Sequence, residues 1–278
     1  MRQPEMARVR VNGIQLAYDE AGTGRALVFV HAYPMGRKMW QPQVAHFLNG
    51  YRVIAYDCRG FGDSDAPREA AVYSQGQSVE DLRGLLAALE IQRAAVVGLS
   101  MGGNVALHLA LTHPTLVAGL VICDTGAGSD DPAQFKTVTE GWAAAADAGG
   151  IEGFAAAILR HPIFAGFAAR GPAEAAAIRG MITSHPAHGV AHTARRTLAN
   201  RPSIFALEEK LRALPVPALI LVGEKDLPCL APSTYMQERI PNALLHVMQG
   251  CGHFNNLERP AEFNAVIDAY LQRIGWTG

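Results

Sequence analysis

The sequence predicts an α/β fold: a mostly parallel eight-stranded sheet with helices on both faces and a helical cap inserted between two core strands. Three observations predict it. Unbroken apolar runs recur along the chain, amphipathic stretches with helical spacing separate them, and one long segment between two runs holds no convincing strand. With 278 residues, 49% of them hydrophobic and 18% charged, there is ample apolar material for a core on both faces of such a sheet.

The elements follow in order. Val9 to Tyr18 alternates apolar and polar residues around Asn12-Gly13, a hairpin signal that places an antiparallel pair at one edge. Ala26 to Val30 is apolar without alternation, as a parallel strand covered on both faces should be. Similar runs stand at Val53–Tyr56, Ala94–Val97, Leu116–Cys123, Ala218–Val222 and Leu244–Met248. Between them, Ser78 to Leu89 carries Val79, Leu82, Leu85, Leu86 and Leu89 on one helical stripe, with Ser78 as the expected N-cap and Asp81 in the first turn. Met101–Leu111 and Ala261–Ile274 read as helices in the same way. From about Ser129 to Leu211 the text is Ala-rich and helical, so the chain divides into a core of 1–128 and 212–278 and a cap of 129–211.

Composition narrows the function classes. Lys+Arg 24 against Asp+Glu 25 gives a net charge of -1, without the basic stripe that nucleic acid requires. No run approaches the roughly 18 apolar residues of a membrane span, and the opening MRQPEMARVRVNG has no signal-peptide stretch. Cys58, Cys123, Cys229 and Cys251 form no CxxC pair, so reduced, buried thiols in a cytoplasmic protein are expected, with no metal and no cofactor. Cys251 reads as a small packing residue near His253.

Gly98-Leu99-Ser100-Met101-Gly102 matches Gly-x-Ser-x-Gly, with a buried strand running in and a helix running out. That setting is the nucleophile elbow: a tight turn holds the serine Oγ exposed, and the helix start offers N–H groups and a positive dipole end to an oxyanion. A serine hydroxyl needs a base. Of ten histidines, His253 lies in the Gly-rich loop Gly250-Cys251-Gly252-His253, late in the chain as the order Ser…Asp/Glu…His demands. His108 and His113 belong to the helix behind the serine, and His161, His185, His188 and His192 fall in the insertion, where at most they line a pocket. The acid that orients the base is expected at Asp226, which ends a strand and turn between Ser100 and His253; Asp124 is its competitor and Glu224 an outsider. One oxyanion donor is the Met101 N–H, and the second is expected from the loop His31-Ala32-Tyr33-Pro34.

These features resemble the α/β-hydrolase superfamily over nearly the whole chain. His31-Ala32-Tyr33-Pro34 is similar to its His-Gly-x-Pro loop, and Asp57-Cys58-Arg59-Gly60-Phe61-Gly62-Asp63-Ser64 to its Asp-x-Arg-Gly-x-Gly-x-Ser loop. The resemblance implies that Tyr33 supplies the second oxyanion N–H, that the Tyr33–Pro34 bond is cis, and that Asp57, Arg59 and Asp63 are structural. Ala32 departs from the family's glycine. Serine at position 100 separates the chain from the dehalogenases and epoxide hydrolases of this fold, which resemblance would require to carry Asp there, and argues for acyl transfer.

Gly98–Gly103, Ile122-Cys-Asp-Thr-Gly126, His253-Phe-Asn-Asn-Leu-Glu258 and Arg196–Pro202 resemble the 3-oxoadipate enol-lactonase and carboxylesterase group. The expectation is hydrolysis of a small carboxylic ester or lactone, with that small molecule as partner, neither nucleic acid nor membrane involved, and the oligomeric state left open. Arg195, Arg196 and Arg201 are candidates to pair with a substrate carboxylate or are solvated surface residues. Tyr33, Trp142, Phe164 and Phe167 are candidates for an apolar pocket, the last three equally for ordinary cap packing. Carbon–carbon bond hydrolysis, perhydrolysis and a silent ligand receptor remain as rivals.

Overall fold

The computed structural model describes residues 5–278. Its first two strands, β1 (Glu5–Val11) and β2 (Ile14–Ala21), pair antiparallel with Val11 opposite Ile14. Asn12 and Gly13 turn between them with φ of 47° and 83°, the two positive angles that a two-residue primed turn requires. Then follow β3 (Ala26–Val30), β4 (Arg52–Tyr56), β5 (Ala94–Leu99), β6 (Val117–Cys123), β7 (Ala218–Gly223) and β8 (Leu244–Met248). The eight strands form one sheet in the order β1-β2-β4-β3-β5-β6-β7-β8. β2 meets β4 antiparallel, and every later pairing is parallel.

The unbroken apolar runs explain the interior of this sheet. Every residue of β3, β5, β6 and β7 is buried, because helices cover both faces. β8 has a partner on one side only and is correspondingly half-buried along most of its length.

The helices are α1 (Gln41–Phe47), α2 (Gln75–Ala88), α3 (Met101–Thr112), α4 (Pro132–Ile158), α5 (Pro162–Ala168), α6 (Pro172–Thr183), α7 (Ala187–His192), α8 (Glu208–Arg212), α9 (Leu227–Arg239), α10 (Asn255–Glu258) and α11 (Pro260–Arg273). The expected start of α2 is corrected by one turn. Ser74, not Ser78, is the cap, its Oγ accepting the Gln77 N–H at 3.0 Å. Gln75-Gly76-Gln77 carries no apolar residue, so hydrophobic spacing could not mark that first turn. Asp81 therefore lies inside α2, buried, where both its oxygens receive the Arg59 guanidinium at 2.8 Å.

Between β6 and β7 the described chain is helical, from α4 to α8, with short 3-10 and π turns. α4 breaks at Gly150, whose φ is 62°. Three contacts seat these helices on the core. The Tyr33 ring stacks on Trp142, its hydroxyl donates to the Val190 carbonyl at 3.1 Å, and His185 Nδ1 accepts the Gly62 N–H at 2.9 Å. Among the described residues no helix is long and apolar enough to cross a membrane.

Candidate active site

Six parallel strands deliver their C-terminal ends to one edge, and the loops that leave that edge carry the residues singled out by the sequence. Ser100 lies at the end of β5 with φ 56° and ψ -110°, a conformation sparsely open to a residue with a side chain. The turn is held from both directions. The Ser100 N–H donates to the Cys123 carbonyl at 2.8 Å, and its own carbonyl accepts the Asn104 N–H at 3.1 Å. A side chain at Gly102 would collide with the Val30 and His31 carbonyls, so glycine is what lets the start of α3 press against the loop after β3.

That close approach sets the start of α3, which Met101 opens, against the loop that leads to Tyr33. Met101 opens α3, where N–H groups have no intrahelical acceptor. No protein acceptor takes the Tyr33 N–H among the described residues. The Tyr33–Pro34 bond is cis, as the resemblance implied. Ala32 in place of glycine is accommodated: its backbone lies outside the left-handed region, and its N–H donates to Met39 Sδ at 3.3 Å. His31 fixes the rest of the loop, its Nδ1–H donating to the Ala32 carbonyl at 2.8 Å while Nε2 accepts the Cys58 N–H at 2.9 Å. Burial pushes its pKa down, which suits a neutral ring with one donor and one acceptor.

His253 and Asp226 are joined by a buried hydrogen bond of 2.8 Å from Nδ1–H to Oδ2. Burial alone would raise the Asp226 carboxyl, but the facing imidazole outweighs it, and the carboxyl lies below its ordinary range. The loop that carries His253 is clamped by Glu258, whose carboxylate accepts the Gly252 N–H at 3.0 Å and the Phe254 N–H at 3.3 Å. The hydroxyl of Ser100 and the imidazole share no direct hydrogen bond among the described residues, a separation that apo enzymes often show before substrate enters. Neither rival acid hydrogen-bonds the His253 ring among the described residues. Asp124 turns Oδ1 to the Gly223 N–H at 2.8 Å, and Glu224 accepts the Gly250 N–H at 2.8 Å.

The loop after β4 is structural in its contacts. Asp57 is buried and accepts the N–H groups of Arg37 and Asp63 at 2.7 and 2.9 Å, while the Arg37 guanidinium bridges Asp19, Asp57 and Asp63. Arg37 had no motif to reveal it. The cap arginines do not converge on His253: Arg195 pairs with Glu140 and Asp147, Arg201 donates to the Ala127 carbonyl at 2.6 Å, and Arg196 is exposed. Instead a cleft of about 420 Å³ beside His253 is lined by His161, Phe167, Arg170 and Lys225. Of the aromatic candidates, Tyr33 and Trp142 stack on each other, and Phe164 and Phe167 pack on Phe254, next to His253. His108 bonds its own helix, while His188 and His192 bond the carbonyls of Ala66 and Arg68. All four thiols are free and buried, and burial raises Cys251 to about 11.

Known proteins resemble this chain in sequence and fold. The family model for the "Alpha/beta hydrolase family" matches residues 27–266. A 3-oxoadipate enol-lactonase of Acinetobacter baylyi is 29% identical, over 98% of this chain and 96% of its own. A 2-hydroxymuconate semialdehyde hydrolase of Pseudomonas sp. is 32% identical, over 96% of this chain and 94% of its own. A thermophilic esterase from Thermogutta terrifontis, solved with malate bound, superposes with a TM-score of 0.82 at 29% identity, covering 97% of this chain and 99% of that one. With the elbow, the sheet order and a match across most of its length, the chain belongs to the alpha/beta hydrolase family.

Proposed function

We propose that the protein hydrolyses small carboxylic esters or lactones through an acyl-enzyme on Ser100. The observation that carries this reading is the buried Asp226–His253 pair on the same sheet edge as a serine held at φ 56°. Ser100 Oγ attacks the carbonyl carbon as His253 Nε2 takes its proton. Asp226 keeps Nδ1 protonated and stabilises the imidazolium. The oxyanion lies between the N–H groups of Tyr33 and Met101. The imidazolium then passes its proton to the leaving alkoxide, and a water activated by the same imidazole releases the acid. In a lactone the leaving oxygen stays tethered to the acyl group, and ring opening gives one product.

The lactonase and esterase likenesses support the substrate class. Lys225 at the cleft beside His253, exposed and cationic, favours a substrate with a carboxylate at its far end. A second reading, carbon–carbon bond hydrolysis on the same serine, is supported by the 32% identity to the Pseudomonas hydrolase.

A panel of short p-nitrophenyl esters, lactones and vinylogous diketones, run on the wild type and Ser100→Ala, tests this proposal. Turnover of esters or lactones with a pre-steady-state burst, lost in Ser100→Ala, is the expected result. Cleavage of the diketones alone would establish the second reading, and activity that survives Ser100→Ala would overturn both.

A further inference from the structure

Asp124 follows β6 as Asp226 follows β7, and it is wholly buried. Its φ of 44° places a non-glycine residue in the left-handed region, so the fold holds this side chain in one direction at a conformational cost. One carboxyl oxygen, Oδ1, accepts the Gly223 N–H. The other, Oδ2, is buried with no N–H or hydroxyl donor, and Asp226 Oδ1 is buried in the same condition, its companion oxygen being given to His253. Gly223 ties the two residues together, its N–H held by Asp124 and its carbonyl accepting the Asp226 N–H at 3.0 Å, so the two unpartnered oxygens belong to neighbouring carboxyl groups between which a hydrogen bond is open. Two carboxylates carry only acceptors, so such a bond exists only where one of them holds a proton.

The surroundings decide which one. Asp226 faces the His253 imidazole and receives the Cys229 thiol. Asp124 is faced by Asp226, Glu258, Cys123, Cys229 and Cys251, and it takes part in no salt bridge among the described residues. We infer that Asp124 is a positioning residue, neutral at neutral pH, whose carboxyl O–H donates to Asp226 Oδ1 and fixes the carboxylate that faces His253. Burial first, and then the charge of Asp226, push the Asp124 carboxyl well above the carboxylate range, in keeping with that proton. The buried pair then carries one negative charge, matched to the single positive charge that the imidazole acquires in turnover. The Cys229 thiol adds a weak donor to the same carboxylate.

The inference rests on the proposed role of Asp226 and His253, and two readouts keep the two apart. The first is infrared spectroscopy of protein with isotope-labelled aspartate. A protonated-carboxyl C=O stretch at neutral pH in the wild type, lost in Asp124→Asn, is expected; no such band in the wild type overturns the inference whatever the catalytic residues prove to be, and needs no variant to fold. The second is the pH profile of kcat/KM. Asp124→Ala strips Asp226 of a donor and is expected to lower kcat about ten- to a hundredfold with KM little changed. Asp124→Asn keeps a donor for Asp226 and an acceptor for Gly223, and is expected to restore most of that loss with the acid limb in its wild-type place. If Asp124 were ionised, Asn would remove a negative charge near the imidazole and shift the acid limb to lower pH, which overturns the inference. Failure of the underlying reading looks different: full activity in Ser100→Ala with the infrared band intact.

Discussion

At the scale of single residues, the chemistry converges on a few side chains whose neighbours set their state. Asp226 holds His253 by one oxygen, so Asp226→Asn leaves the shape intact but offers an amide where a charge is needed to stabilise imidazolium. Steady-state kinetics on the best ester should show kcat lower by roughly a thousand- to ten-thousandfold, with KM little changed. Away from the site, Arg59 and Asp81 form a buried, two-pronged ion pair whose separation leaves an uncompensated charge. Arg59→Ala should cost about 3–5 kcal/mol, read as a lower urea midpoint. Ser100 and His253 were legible in the sequence because their motif, flanks and order are local or sequential properties. Cys229, Glu258 and the pairing of Asp124 with Asp226 were not, because they depend on which loops the sheet brings side by side.

At the scale of elements, continuous apolar runs identified the six parallel strands, since burial on both faces of the inner ones leaves no alternation to misread, and the alternation around Asn12-Gly13 identified the antiparallel pair. The start of α2 escaped because a polar first turn has no hydrophobic period, and only the Ser74 cap marks it. The loop from β8 to α10 carries the proposed base, and Glu258 grips it on both sides of His253 and is itself paired with Arg170. Glu258→Gln keeps one acceptor but loses the charge, and kcat should fall about tenfold while the melting temperature changes little. The check is a kcat measurement beside a thermal melt. A large loss of stability with kcat unchanged would show the clamp to be structural only.

At the scale of the whole molecule, the inserted helices are tied to the core through groups that titrate. His185 is buried where it accepts the Gly62 N–H, and burial, with His31 nearby, pushes its pKa down to about 4. The unfolded chain, with an ordinary histidine near 6.5, binds this proton first, so its contribution is complete above about pH 6.5 and fades as pH falls toward 4. The full effect is about 3 kcal/mol, and His31, shifted the same way, adds to it. The unfolding midpoint should therefore drop between pH 6.5 and 4, with a shallower slope in His185→Gln. An unchanged slope would show that His185 does not anchor the insertion through its neutral ring.

The central claim is that Ser100 is the nucleophile, and covalent capture addresses it most directly. A fluorophosphonate probe, followed by digestion and mass spectrometry, should leave one adduct, on Ser100, and none in Ser100→Ala. An adduct on another residue, or hydrolysis of an ester by protein that never labels, would contradict the account.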